Sequence, residues 1–216
     1  MIELASSDPS IASVAPYGGT KPAFTPNPIA IGIPTNENPI LIDISASITT
    51  NGLTGRLFSE GKKLPGDWVQ DKSGQATNDP AVLFTEPPGT ILPIGGKEYG
   101  HKGFGLALMI EALTQGLSGL GRADPTEGWG AAVYLKVTDP SAFGGMDEFT
   151  RQTSWLAESC RNNPPAEGVD NVRLPGDNAI LNKAEAIANG LELYPGLLDG
   201  LKTFSDNYNI RVPGAI

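Results

Sequence analysis

Residues 28–44 read Pro28-Ile29-Ala30-Ile31-Gly32-Ile33-Pro34, then Thr35-Asn36-Glu37-Asn38-Pro39, then Ile40-Leu41-Ile42-Asp43-Ile44. Two short isoleucine-rich runs flank a polar, turn-forming segment, which is the pattern of a β-hairpin. In the first run Ile29, Ile31 and Ile33 alternate with small residues, so a strand here has one apolar face. The second run is apolar on both faces until Asp43 interrupts it. Asp43 is therefore expected where a buried strand runs out, a place where α/β sheets often present groups to ligands. The bland alternative is a turn carboxylate accepting from the amides of Ser45 or Ala46.

Downstream of the hairpin, a polar loop with Gly61, Pro65-Gly66 and Asp71-Lys72-Ser73-Gly74 precedes a glycine cluster, Gly95-Gly96 to Gly100-His101-Lys102-Gly103-Phe104-Gly105. The cluster leads into a helix whose stripe is Leu106, Met109, Ile110, Leu113 and Leu117, with Gly119 and Gly121 ending it. A strand over Ala131 to Val137 follows. The turn Asp139-Pro140-Ser141-Ala142-Phe143-Gly144-Gly145 then opens a second helix with Met146, Phe149, Leu156 and Cys160 on its apolar side. Asp147 and Glu148 in its first turn and Arg161 in its last suit the helix dipole. Pro164-Pro165 breaks it. Asp177 or Asn178 is expected to cap a third helix running to Gly190, and Pro195 to start a fourth. Strands and helices mix without strict alternation and without a Gly-x-Gly-x-x-Gly turn. The fold class is α/β, with a mixed, largely antiparallel sheet flanked by helices and no Rossmann fingerprint.

The 216 residues are 39% apolar, enough for a sizeable core. Acidic side chains number 24 against 15 basic ones, a net charge of −9, which disfavours nucleic acid and anionic membrane surfaces as partners. A lone cysteine, Cys160, excludes an internal disulfide and fits a reducing compartment. No run approaches a membrane span and Met1-Ile2-Glu3-Leu4 has no signal-peptide pattern, so the expected location is the cytoplasm. One histidine and no cysteine pair leave no recognisable metal-ligand spacing.

The glycine cluster is the strongest local signal for chemistry. Glycines let backbone amides approach a ligand, a helix N-terminus adds positive potential, and Lys102 adds a full charge. It reads as an anion site or, equally, as a glycine-permitted turn with a solvated lysine; it is no Walker loop, because no Gly-Lys-Ser/Thr is present. His101, the only histidine, is read as a polar loop residue and not as a proton-transfer group.

The order of the pieces is more specific than any one of them. Ala15-Pro16-Tyr17-Gly18-Gly19, Asn27-Pro28, Leu41-Ile42-Asp43-Ile44-Ser45, Gly61-Lys62-Lys63-Leu64-Pro65, Leu92-Pro93-Ile94-Gly95-Gly96, His101-Lys102-Gly103-Phe104-Gly105-Leu106, Asp139-Pro140-Ser141-Ala142-Phe143 and Leu174-Pro175-Gly176-Asp177 follow one another along nearly the whole chain. In that order they resemble the type 2 malate/L-lactate dehydrogenase family, whose non-Rossmann proteins move a hydride between a nicotinamide and a 2-substituted carboxylate. The resemblance implies a cofactor, NAD or NADP, contacted at Ser7, at Asp43, Ile44 and Ser45, at Lys102, and at Gly176, Asp177 and Asn178. It implies a small 2-hydroxy or 2-oxo acid substrate, a homodimer, a cofactor-binding domain over 1–145 and a helical part over 146–216. The family's N-terminal histidine motifs have no counterpart here, so the resemblance assigns no catalytic residue and leads us to expect impaired turnover by this chain alone. The alternative is a non-catalytic nucleotide-binding subunit completed by another chain. A Thr25-Pro26-Asn27-Pro28 turn also stands where the family has Gly-Thr-Asn-Pro.

Overall fold

The computed structural model of the chain describes residues 1–124, 127–128 and 130–212. Its strands are β1 (Ile2–Ser7), β2 (Pro28–Ile33), β3 (Ile40–Ser45), three two-residue strands β4 (Val69–Gln70), β5 (Ala76–Thr77) and β6 (Thr90–Ile91), and β7 (Ala132–Val137). The helices are α1 (Asn51–Ser59), α2 (Gly96–Tyr99), α3 (His101–Glu111), α4 (Met146–Arg161), α5 (Asp177–Asn189) and α6 (Leu197–Tyr208). The hairpin forms as its isoleucines require. β2 and β3 pair antiparallel, with Pro28 opposite Ser45 and Ile33 opposite Ile40. β1 and β7 extend the sheet in the order β3-β2-β1-β7, and β4 to β6 make a small second sheet. Every strand pair in both sheets is antiparallel, so the largely antiparallel α/β reading holds.

Register divides the main sheet into two unlike faces, because opposed residues share a face. On the inner face Ala5 is buried, with Ile29 and Tyr134 packed against the core. The core continues through Val14, Phe24, Leu64, Val69, Ile91, Ala107 and Ile110. On the outer face Ile2 lies opposite Gly32 and Val137, and Leu4 opposite Ala30 and Leu135. Beyond β2 the same rows continue to Leu41 and Asp43. The β1–β7 half of this face is apolar and uncovered among the described residues, with Ile2, Leu4, Val133, Leu135 and Val137 all exposed.

Helix α3 keeps part of the expected stripe. Ile110 is buried and Leu106 packs against the core, joined by Gly103 and Ala107, while Met109 and, beyond the helix, Leu117 are exposed. A Cβ on Gly103 would lie 2.5 Å from the Ala46 carbonyl oxygen, so a small residue lets this helix approach the end of β3 while Ile110, Phe104 and Leu106 pack on the core. Within the glycine cluster Gly95 and Gly100 are turn residues, whereas His101 and Lys102 are the first two residues of α3. In α4 the buried residue is Ala157; Met146 and Leu156 are exposed and Cys160 is half-buried, so the expected apolar stripe and a core cysteine are both revised. The helix docks through polar groups: the Thr153 hydroxyl donates to the Pro34 carbonyl at 2.7 Å, and the Asn36 amide donates to the Ser154 hydroxyl at 2.9 Å. No described helix is long and apolar enough to cross a membrane.

Candidate functional site

The outer face of β2 carries Pro28, Ala30 and Gly32, which leave a floor almost free of side chains between Ile2 and Leu4 on one side and Leu41, Asp43 and Ser45 on the other. A Cβ placed on Gly32 would meet only Leu41 Cδ2, at 3.9 Å. Strands of this length are about 20 Å long, so the floor is a shallow trough that can take an extended ligand. Asp43 is not at a strand end as expected. β3 continues to Ser45, and Asp43 stands mid-strand opposite Ala30 with its carboxylate exposed. Asp43 and Ser45 face the trough, and Ile44 belongs to the opposite face.

One end of the trough is closed by the lead-in to α5. The Leu41 amide donates to the Pro175 carbonyl at 3.0 Å. Gly176 packs so tightly on Leu41 that a Cβ there would lie 2.7 Å from the Leu41 Cβ, at a φ of +98°. Asp177 does not cap α5, because the cap position is Gly176. Its carboxylate accepts instead from Arg161 Nη2 at 2.7 Å and from the Leu174 amide at 2.9 Å. Those bonds, the Arg161 guanidinium foremost, hold its pKa below the ordinary aspartate value. Asn178 accepts from Arg173 at 3.1 Å. The turn is braced by Arg161 from the end of α4 and by its neighbour Arg173.

At the other end, Ser6, Ser7, Asp8, Ile11, Thr25, Pro26 and Pro28 line a cleft of about 290 Å³ facing Thr50, Asn51 and Gly52 at the N-terminus of α1. Thr50 caps that helix, and its first turn carries no acidic residue, so its positive end faces the cleft, which Asp8 also lines. The Ser7 hydroxyl is not free: it donates to Glu111 Oε1 at 2.8 Å and accepts from Gln115 Nε2 at 2.8 Å and Arg122 Nη2 at 3.3 Å, which uses its full capacity. What Ser7 offers a ligand is its main chain. Lys102 is exposed, its ammonium 5.4 Å from the centroid of the Tyr99 ring. His101 is exposed and meets the Tyr17 ring edge-on at 5.8 Å.

The structure thus gathers Asp43, Ser45 and Gly176 around one trough with the Ser7 segment at its far end. Lys102 stands in the first turn of α3, next to Gly103 and its contact with the end of β3. Sequence reasoning did not reach Glu111, Gln115, Arg122 and the α1 N-terminus. The one available signal was Glu111, a single carboxylate inside the apolar run Leu106-Ala107-Leu108-Met109-Ile110-Glu111-Ala112-Leu113.

An antiparallel main sheet with a small-residue trough and a helix N-terminus at its end is an α/β architecture distinct from the parallel, glycine-fingerprinted Rossmann sheet. Comparison with known proteins makes it particular. A family model described as malate/L-lactate dehydrogenase matches residues 1–202, and the chain belongs to that family. It is 29% identical over 208 residues to an L-lactate dehydrogenase of Cupriavidus necator, covering 94% of this chain and 58% of that protein. It is 33% identical over 207 residues to a malate/(S)-sulfolactate dehydrogenase of Methanothermus fervidus, covering 93% and 58%. The sulfolactate dehydrogenase structure from Methanocaldococcus jannaschii superposes with a TM-score of 0.76 at 28% identity, over 98% of this chain and 60% of that one. A malate dehydrogenase from Entamoeba histolytica shares the fold at a TM-score of 0.86 and 23% identity, covering 99% and 63%. This chain therefore spans about three-fifths of the length of these relatives.

Proposed function

We propose that the chain is the dinucleotide-binding unit of a nicotinamide-dependent dehydrogenase acting on a small 2-hydroxy or 2-oxo acid. The observation that carries this is the trough, whose floor of Gly32, Ala30 and Pro28 gives room for a flat, extended ligand beside Asp43. The nicotinamide, when bound, accepts or returns a hydride. The chain's own residues bind and orient. Asp43 and Ser45 receive ribose hydroxyls, and Ile44, exposed on the opposite face, offers only its main chain. The Ser7 main chain and the α1 N-terminus face phosphate oxygens, Lys102 supplies positive charge, and the Gly176-Asp177-Asn178 turn closes the far end. A second phosphate on the ribose beside Asp43 meets a carboxylate, so NAD is favoured over NADP.

Reduction of a 2-oxo acid also needs a proton delivered to the new hydroxyl. His101, the one histidine, is held against Tyr17. We infer that the proton-transfer group comes from the part of the family length that this chain does not span, its matches covering 58% of the relatives. Two chains are proposed to associate, since the apolar outer face of β1 and β7 is open among the described residues. The cytoplasm is the proposed location. The test is titration with NADH and NADPH, followed by an absorbance assay with pyruvate, oxaloacetate and sulfopyruvate. The expected result is cofactor binding with turnover near background; a flat titration with both cofactors overturns the reading.

A further inference from the structure

Behind the cleft at the end of the trough lies a polar cluster that no residue motif announced. Arg122 donates through Nε to both Glu111 oxygens at 3.1 Å and through Nη2 to Glu111 Oε1 at 2.9 Å. Its Nη1 donates to the Ile11 carbonyl at 2.7 Å. Glu111 Oε1 also accepts from the Ser7 hydroxyl at 2.8 Å and from Asn27 Nδ2 at 2.9 Å. One ion pair therefore holds three separate segments, the end of β1 at Ser7, the loop at Ile11 and the lead-in to β2 at Asn27. Ser7, Ile11 and the neighbouring Thr25 and Pro26 are walls of the cleft.

Three features of this cluster each work against stability. Asn27 is fully buried with a left-handed backbone, φ +51°, a conformation a non-glycine residue adopts at a cost. Residues Ala112–Gly116 form a π-helical turn, which directs Gln115 at the Ser7 hydroxyl. The Glu111 and Arg122 side chains are only 19% and 22% exposed, and desolvating such a pair commonly offsets what its attraction returns. Apolar packing would hold the same segments at least as firmly. Costly local features that converge behind one cleft point to the cleft.

We propose that Glu111 and Arg122 are the positioning pair of the dinucleotide site, fixing the Ser7 and Ile11 walls directly and the Thr25-Pro26 wall through buried Asn27, in the geometry that receives the cofactor. They act through those walls and touch no ligand themselves. This rests on the cleft being one end of the dinucleotide site. The experiment is titration of NADH and NADPH into the full chain and its Glu111→Gln, Arg122→Lys, Arg122→Ala, Ser7→Ala and Ser7→Ala/Glu111→Gln variants, with Tm recorded without cofactor. Glu111→Gln is expected to weaken binding about tenfold, and adding Ser7→Ala to weaken it little further, because the two changes break one coupled unit. Arg122→Lys is expected to recover part of the affinity lost in Arg122→Ala. A fall in Tm with unchanged affinity across the folded variants makes the pair purely structural and overturns the proposal. Should Glu111→Gln fail to fold, the comparison of Arg122→Lys with the parent decides it by the same criterion. A parent that binds neither cofactor instead removes the dinucleotide reading itself, and the proposal with it.

Discussion

The Asp177 carboxylate ties the turn before α5 to the end of α4, through Arg161 Nη2 at 2.7 Å. As a helix-starting aspartate after Pro175-Gly176 it looked like a cap, but the cap position is Gly176 and the carboxylate bonds to Arg161 and the Leu174 amide. Its folded pKa is depressed, chiefly by the Arg161 hydrogen bond. A depressed aspartate contributes stability that is present above its unfolded pKa, about 4, and is lost as pH falls through the folded value. Asp177→Asn is thus expected to lower Tm at neutral pH, with the gap to the parent closing below about pH 4. A gap that persists unchanged at pH 3 contradicts that role. Ser7 was likewise visible in its Ser-Asp-Pro turn, yet nothing local reveals that its hydroxyl is saturated by Glu111, Gln115 and Arg122, all of them more than 100 residues away.

Elements were legible where large apolar residues decide them and obscure where small or polar ones do. The β2–β3 hairpin follows from its isoleucines, and α4 and α5 appear close to their expected limits. The buried face of α3 was legible at Leu106 and Ile110 but not at Met109, and that of α4 was missed, because glycine, alanine and threonine make many of the close contacts. Helix α1 escaped notice altogether, with Gly52 and Gly55 inside it and few apolar residues to set a period. Its start depends on Thr50, whose hydroxyl accepts from the Leu53 amide at 3.2 Å. Thr50→Ala is expected to cost about 1 kcal/mol in urea denaturation. A loss below about 0.3 kcal/mol would show that packing alone holds this helix start. The two-residue strands β4 to β6 are too short for any alternation to be read.

At the scale of the whole molecule, the outer sheet face has two halves with different uses. The apolar half on β1 and β7 presents Val133, Leu135 and Val137 at 59%, 63% and 71% exposure, a contiguous apolar patch suited to association with a second copy. Sedimentation of the parent at micromolar concentration is expected to show a dimer, and Leu135→Lys a monomer. A clean parent monomer contradicts the pairing. The β2–β3 half is the trough, and on it rests the claim that this chain binds a nicotinamide dinucleotide. Ala30 lies at the centre of its floor, opposite Leu4 and Asp43, where an indole would occupy the ligand's space without entering the core. The most direct measurement is calorimetric titration of NADH into the parent and Ala30→Trp, with Tm as the control for folding. The account predicts that the parent binds and that the variant loses at least about tenfold in affinity with its Tm preserved. Equal affinity in the two proteins would contradict it.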